Sequence, residues 1–160
     1  MKKWLIPLII IALIAFAIYQ SAVGFNNTAV EYEANAKTAW SNVESAYQRR
    51  NDLIGNLIKT VQGAADFERT TLTEVIEARA KATSTTIDAS NLTADNMAQF
   101  QQAQSGLSGA LSKLLVSVER YPELKANQNF LELQSQLEGT ENRINVTRDR
   151  FREKVNIYDN

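Results

Sequence analysis

Cysteine and histidine are both absent from this sequence of 160 residues. Without cysteine, the chain can form no disulfide and has neither a thiol nucleophile nor a thiolate metal ligand. Without histidine, it lacks the side chain that most often serves as a general base near neutral pH and as a metal ligand. Catalytic triads, cysteine–histidine pairs, zinc sites and di-iron Glu-x-x-His sites are therefore excluded.

The remaining routes to catalysis have no motif in the chain either. Neither a Walker-type phosphate loop nor a Ser-x-x-Lys nucleophile is present. Carboxylate pairs such as Glu74 and Glu77, or Glu31 and Glu33, have the spacing of ordinary solvated helix charges. The sequence therefore predicts that the protein is not an enzyme and that it uses no cofactor and no metal.

Proline and glycine are scarce, and neither sign of charge predominates. With only two prolines and six glycines, the chain has few residues that break helices or form turns, which is typical of long helices. The 17 basic and 18 acidic residues give a net charge of -1, so no basic field favours nucleic acid as a partner. Apolar residues make up 44% of the chain, which is enough to form the core of one domain.

The longest uncharged run lies at the N-terminus, which reads MKKWLIPLIIIALIAFAIYQSAVGF. A helix from Trp4 to Phe25 would rise about 33 Å, close to the hydrocarbon thickness of a bilayer. Trp4 and Tyr19 lie towards its two ends, where amphipathic rings favour the interface, and Pro7 falls in the first turn. The run predicts a transmembrane anchor over residues 1–25, so that the lipid bilayer is a partner.

The charges that flank this anchor predict its orientation. Lys2 and Lys3 precede it, whereas no lysine or arginine follows before Lys37. The positive-inside rule therefore predicts a cytoplasmic N-terminus and places residues 26–160, as one domain, on the outer side of a bacterial membrane. A signal peptide cleaved after Ala22-Val23-Gly24 is the alternative, although the apolar run is long for one.

Apolar residues recur at steps of three and four along most of the remaining sequence. They predict an all-α protein, an antiparallel bundle of three to four long helices with coiled-coil-like seams. Gly24 to Thr28 is a plausible break after the anchor, Gly63 ends the first helix, Asp66 and Thr93 cap the next two, and Pro122 stops the third. The seam of the first helix comprises Ala36, Trp40, Val43, Tyr47, Arg50, Ile54, Leu57 and Val61.

Two adjacent arginines in this first helix are candidate interaction residues. Arg49 and Arg50, with Asp52 nearby, could bind a carboxylate or phosphate of a partner, or Arg50 could reach from the seam into solvent. If Arg50 is buried it must be paired, and Glu141 is a candidate partner because it occupies a stripe position of the last helix. Such a pair would fix the register of the helices.

Other residues extend this candidate surface. Gly55 is expected to ease a bend, and Gly139, followed by a polar run that includes Asn142, is expected to allow close helix packing. The first helix also has a second apolar row, which favours a partner helix and so predicts self-association. This row comprises Ala39, Ala46, Leu53 and Ile58.

Several blocks of the sequence resemble the LemA family over nearly the whole chain. They are AWSNVESAYQRRNDLIGNLIKTVQG, TLTEVIEARAKA, LSGALSKLLVSVERYPELKANQNFLELQSQLEGTENRI and RDRFREKVNIYDN. The resemblance implies a long-helix bundle anchored to a bacterial membrane, and it brings no catalytic residue. The family pattern usually reads RR-x-x-LIPNL, so Gly55 stands here in place of a proline.

Two functions remain open on the sequence. The first is a membrane-anchored structural scaffold of the bacterial cell envelope that self-associates into a homo-oligomer through its helical bundle. The second is an adaptor or regulator that binds another envelope membrane protein, with Arg49, Arg50 and residues 140–143 as its recognition surface.

Overall fold

A computed structural model describes the backbone of residues 5–64, 67–89 and 92–158, and the side chains of the same ranges except 5–9, 22–29 and 157–158. Within these ranges every regular element is a helix, which confirms the all-α prediction. The elements are α1 (Leu5–Gln62), α2 (Arg69–Ser84), α3 (Ala94–Val118), the short α4 (Pro122–Lys125) and α5 (Gln128–Tyr158).

Local sequence explains most helix ends. The Thr93 side chain accepts a hydrogen bond from the Asn96 N–H at 3.2 Å and caps α3, as predicted. Pro122 begins the single turn of α4, and Asn127 Oδ1 then accepts a bond from the Phe130 N–H at 3.1 Å at the start of α5. The cap predicted at Asp66 lies outside the described residues.

Helix α1 continues through the break predicted at residues 24–28, and that prediction is wrong. Its 58 residues form one uninterrupted helix that is about 87 Å long at 1.5 Å per residue. The segment contains no proline, and no described residue has a positive φ, so nothing in it stops the backbone hydrogen bonds. Residues on either side of the predicted domain boundary at 25 and 26 therefore share one helix.

Within the part of the chain that the structure describes, no helix is long and apolar enough to span a membrane. Trp4, at one end of the predicted anchor, lies outside the described residues, whereas Pro7 lies close to the first described residue of α1 and Tyr19 is exposed. The anchor over residues 1–25 stays a prediction.

The helices form an antiparallel bundle. The rings of Trp40 in α1 and Phe151 in α5 are 5.2 Å apart, and ten residues further along α1 Arg50 meets Glu141, so these two helices run in opposite directions. The contacts Glu74–Lys113 and Ala82–Gln104 give the same relation for α2 and α3. Helices α1 and α2 pack together across the short connection from Gln62 to Arg69. The bundle therefore alternates in direction along α1, α2, α3 and α5, as predicted.

Two hydrophobic clusters share the core, one at each end of the bundle. The larger cluster includes the fully buried Ile54, Leu57 and Val61 of α1 and surrounds the connection from α1 to α2. The smaller one is aromatic, with Trp40 packed edge-on against Phe100 and Phe151 near the end where α1 enters the bundle. The seam predicted for α1 supplies residues to both.

Candidate functional site

The adjacent arginines of α1 lie in different surroundings. Arg50 is 2% exposed and lies between the two hydrophobic clusters, whereas Arg49 is exposed. The alternative in which Arg50 reaches from the seam into solvent is therefore wrong. Only Arg49 is available to a partner, so the two residues cannot act together as a recognition fork.

Arg50 forms a polar lock that joins three helices. Its Nη1 donates to Glu141 Oε1 of α5 at 2.8 Å and to Ser108 Oγ of α3 at 3.1 Å, and its Nη2 donates to Gln104 Oε1 of α3. The Cζ atom lies 4.9 Å from the ring centroid of Tyr47, one turn earlier in α1. The planar guanidinium thus binds α3 and α5 at once through two separate nitrogen atoms, whereas a lysine has all its donors on one nitrogen.

The lock contains one buried charge and one charge that remains hydrated. The Glu141 side chain is 44% exposed, so water screens this ion pair and reduces its net stabilisation. Moving α1 by one turn along α5 would leave the guanidinium buried and unpaired, which costs several kcal/mol in proteins, on the order of 3. The lock therefore destabilises shifted registers of α1 and α5 more than it stabilises the native fold.

The sequence contained a signal for part of this lock. Gln104 falls on the apolar stripe of α3, and a polar residue at a seam position commonly meets another polar group across the interface. Its Nε2 also donates to Ala82 O of α2 at 3.4 Å, so the network reaches all four long helices. Ser108 lies beside the stripe, and its role was not predicted because serine is common on helix surfaces.

Gly55 makes room for a side chain of α2. A Cβ added at this position would lie 2.9 Å from Arg79 Nη2, because the Arg79 side chain crosses α1 and donates from Nε to Asn51 O at 2.7 Å. This contact explains the glycine where a bend in α1 was expected. Gly139 of α5 differs, since an added Cβ would meet no atom within 4 Å, and the prediction of close helix packing there is wrong.

These two glycines are expected to respond differently to alanine. Gly139→Ala should raise the free energy of unfolding by roughly 0.5–1 kcal/mol, because alanine is the better helix former and the space is empty. Gly55→Ala should give no gain, since its methyl group displaces the Arg79 guanidinium from Asn51 O. Chemical denaturation of the two variants tests this, and an equal gain from both would contradict the role given to Arg79.

Arg49 lies on an outer surface that we call the α1–α5 groove. The groove consists of two cavities, of about 760 and 630 Å³, that share Arg143 and follow the seam between the two helices. Asp52 also lines it, whereas Glu141 faces a separate cavity beside α3 and Asn142 is exposed outside the two cavities of the groove. The structure thus brings Arg49 and Asp52 together on one face and assigns Glu141 to another.

The charged side chains of the α1–α5 groove form no ion pairs within the described part of the chain. On α1 they are Glu44, Arg49 and Asp52, and on α5 they are Arg143, Arg150, Glu153 and Lys154. Asp52 accepts a hydrogen bond from Gln48 Nε2 at 3.3 Å. Sequence reasoning missed Arg150 and Lys154, because lysine and arginine at a helix end are ordinary surface residues.

The second apolar row of α1 is not the exposed face that the sequence predicted. Ala46 is 2% exposed, and Leu53 and Ile58 are each 7% exposed, because α5 and the remaining core cover them. Ala39 is partly buried. Ala39, Ala46 and Leu53 line the bottom of the α1–α5 groove, so a partner would meet this row only together with the charged walls.

The structure is that of an all-α bundle protein, with a long α1 helix and antiparallel helices joined by the Arg50 lock. The surface feature described above is a groove between two of its helices. The model of the LemA family matches residues 39–160. The chain therefore belongs to the LemA family, as its sequence blocks indicated. A comparison with curated proteins finds no match, so no relative supplies a function.

Proposed function

We propose that this protein is a non-catalytic scaffold of the bacterial cell envelope, anchored in a membrane by the N-terminal part of α1 and self-associating through its bundle. The observation that carries the proposal is the uncovered length of α1. Every residue from 30 to 35 and from 10 to 21 is exposed, so no described part of the chain packs against this arm.

The exposed side chains at the start of the arm favour a bilayer as their surroundings. Ile10, Ile11, Leu13, Ile14, Phe16 and Ile18 are each 50–65% exposed, and with the alanines between them they make the helix apolar on every side. A helix that is apolar on every side belongs in the core of a protein or in a membrane. Among the side chains that the structure describes, every buried one lies at Trp40 or later, so the bundle does not supply that core.

Removal of residues 1–29 is expected to release the protein from membranes. The fragment that begins at Val30 retains every side chain described as buried, so its helical signal and cooperative unfolding should persist. Membrane fractionation should find it in the soluble phase. Full-length protein should resist extraction by high salt and by alkaline carbonate, which strip peripheral proteins, and should require detergent.

A matched control separates hydrophobic anchoring from loss of chain length. Ile11→Lys/Ile14→Lys keeps the length of α1 but puts two charges where a bilayer centre would be, at a cost of roughly 3 kcal/mol each. This variant should behave like the fragment. Salt extraction of the full-length protein, or membrane retention of the lysine variant, would rule out the anchor.

The adaptor function is the second candidate, and the unpaired charges of the α1–α5 groove favour it. Arg49 and Arg143 form no ion pair within the described residues, so either could bind a carboxylate of another protein. Crosslinking in cells from a photoreactive residue in place of Gln48 distinguishes the two functions. The scaffold predicts adducts at a multiple of the chain's own mass, and the adaptor predicts an adduct with a different protein.

A further inference from the structure

We infer that the α1–α5 groove is the interface between two parallel copies of this chain, with α1 of each copy against α5 of the other. In this arrangement Glu44 and Asp52 of one copy form ion pairs with Arg150 and Arg143 of its partner. The inference rests on the proposed function, because anchors in one membrane make the two copies parallel.

The charges of the groove are divided between its two walls. The α5 wall has three cations, Arg143, Arg150 and Lys154, and one acid, Glu153. The α1 wall has two acids, Glu44 and Asp52, and one cation, Arg49. A two-fold rotation that places α1 of one copy opposite α5 of the other therefore sets a mostly acidic wall against a mostly basic one. This complementarity favours that arrangement of the two copies and raises their rate of association.

The register of α1 and α5 brings these charges to matching heights. The pairs Trp40–Phe151 and Arg50–Glu141 fix which residues of the two helices are level with one another. On that scale Arg150 lies about 5 Å along the axis from Glu44, and Arg143 lies about 6 Å from Asp52, at 1.5 Å per residue. Arginine side chains span such offsets. A two-fold axis parallel to the helices preserves these heights, so both ion pairs form twice.

The bottom of the groove suits close approach by a second pair of helices. Ala39 of α1 is partly buried, Val146 of α5 is 43% exposed, and both line the same cavity of the groove. A small residue at this position lets a second helix approach, while the charged walls lie at the edge of the contact. Held in one bilayer plane, the chains also have a high effective concentration, so a modest interface suffices.

Charge reversal on one wall at a time tests this interface in full-length protein in detergent. Variant A carries Arg143→Glu/Arg150→Glu, and variant B carries Glu44→Lys/Asp52→Lys. Alone, each places like charges opposite one another, so light scattering should show a rise of about 100-fold or more in the dimer dissociation constant, since four ion pairs become repulsive. Mixing A with B should restore a dimer, because every pair is then attractive again.

The mixing step distinguishes contacts between copies from contacts within one chain. Ion pairs across the groove of a single chain would leave A and B monomeric when mixed, which overturns the inference. The control variant Arg69→Glu/Lys81→Glu reverses two exposed charges of α2 and should remain as dimeric as the parent. Circular dichroism of each variant reports whether the bundle itself is intact.

The outcomes also separate this interface from the proposed function. An assembly of the parent chain that neither A nor B disrupts would overturn the interface and leave self-association standing. A parent chain that is monomeric at every concentration would overturn both. A groove crosslink to a different protein would overturn the inference in favour of an adaptor surface.

Discussion

Replacing Glu141 with alanine is expected to lower the free energy of unfolding by about 2 kcal/mol, because it leaves the buried Arg50 guanidinium without a counter-charge. The value lies below that of a fully buried pair, since the Glu141 side chain is 44% exposed and partly screened by water. For a chain of this size, the midpoint of thermal unfolding should fall by about 4–8 °C.

A second change should relieve this penalty. Arg50→Met keeps much of the packed side-chain stem and removes the charge, so Arg50→Met/Glu141→Ala is expected to be more stable than Glu141→Ala alone. Thermal and chemical denaturation of the parent, both single variants and the double variant form the cycle. If the double variant loses the sum of the two free energies lost by the single variants, the guanidinium does not depend on Glu141. That result would contradict the lock.

Trp40→Ala is expected to cost about 4 kcal/mol, which is the typical loss for a buried tryptophan. The side chain is 2% exposed and packs edge-on against Phe100 at 5.5 Å and Phe151 at 5.2 Å between ring centroids. It holds together α1, α3 and α5 at the end of the bundle where the α1 arm begins. Loss of the ring should therefore loosen the attachment of the arm to the bundle.

The milder Trp40→Phe isolates one contact of this side chain. Trp40 Nε1 donates to Ile87 O at 3.2 Å and so ties the connection between α2 and α3 to α1. Phenylalanine retains part of the ring packing but leaves this carbonyl unpaired, and the lost hydrogen bond alone costs about 1–2 kcal/mol. Hydrogen exchange should then accelerate in residues 85–89 and remain unchanged near Arg79. Uniform acceleration throughout the bundle would show that the hydrogen bond has no local role.

Periodicity predicted the helices and much of the core because it reports directly on which face of a helix is buried. The steps of three and four through Trp40, Ile54 and Val61 identified residues that are buried in the structure. The same reasoning identified Glu141 as the partner for Arg50 if that arginine was buried. Periodicity alone did not decide whether it was buried, because the guanidinium of a seam arginine can extend outwards past the packed layer.

The errors arose where a local pattern was used to infer a tertiary contact. The segment from Gly24 to Thr28 contains poor helix formers, yet nothing in it prevents helical dihedral angles. Gly55 and Gly139 look alike in the sequence, and only the path of Arg79 distinguishes them. The second apolar row was predicted to be exposed because the way neighbouring helices pack over it does not appear in the sequence.

The α1–α5 groove was beyond prediction for a related reason. Arg49 and Asp52 lie far from Arg143 and Arg150 in the chain, and their common surface depends on the register of two antiparallel helices. That register is fixed by the Arg50 lock, in which Glu141 of α5 and Gln104 and Ser108 of α3 meet Arg50 of α1. The buried Arg50 therefore determines which charged residues of α5 lie on the same surface as its exposed neighbour Arg49.

The mass of the full-length chain in detergent, measured by light scattering across a concentration series, tests the central claim most directly. We expect a dimer or a larger assembly of even number that dissociates as the salt concentration rises, because charged groups line its interface. A single monomeric mass at every protein concentration, at low as well as high salt, would contradict the scaffold.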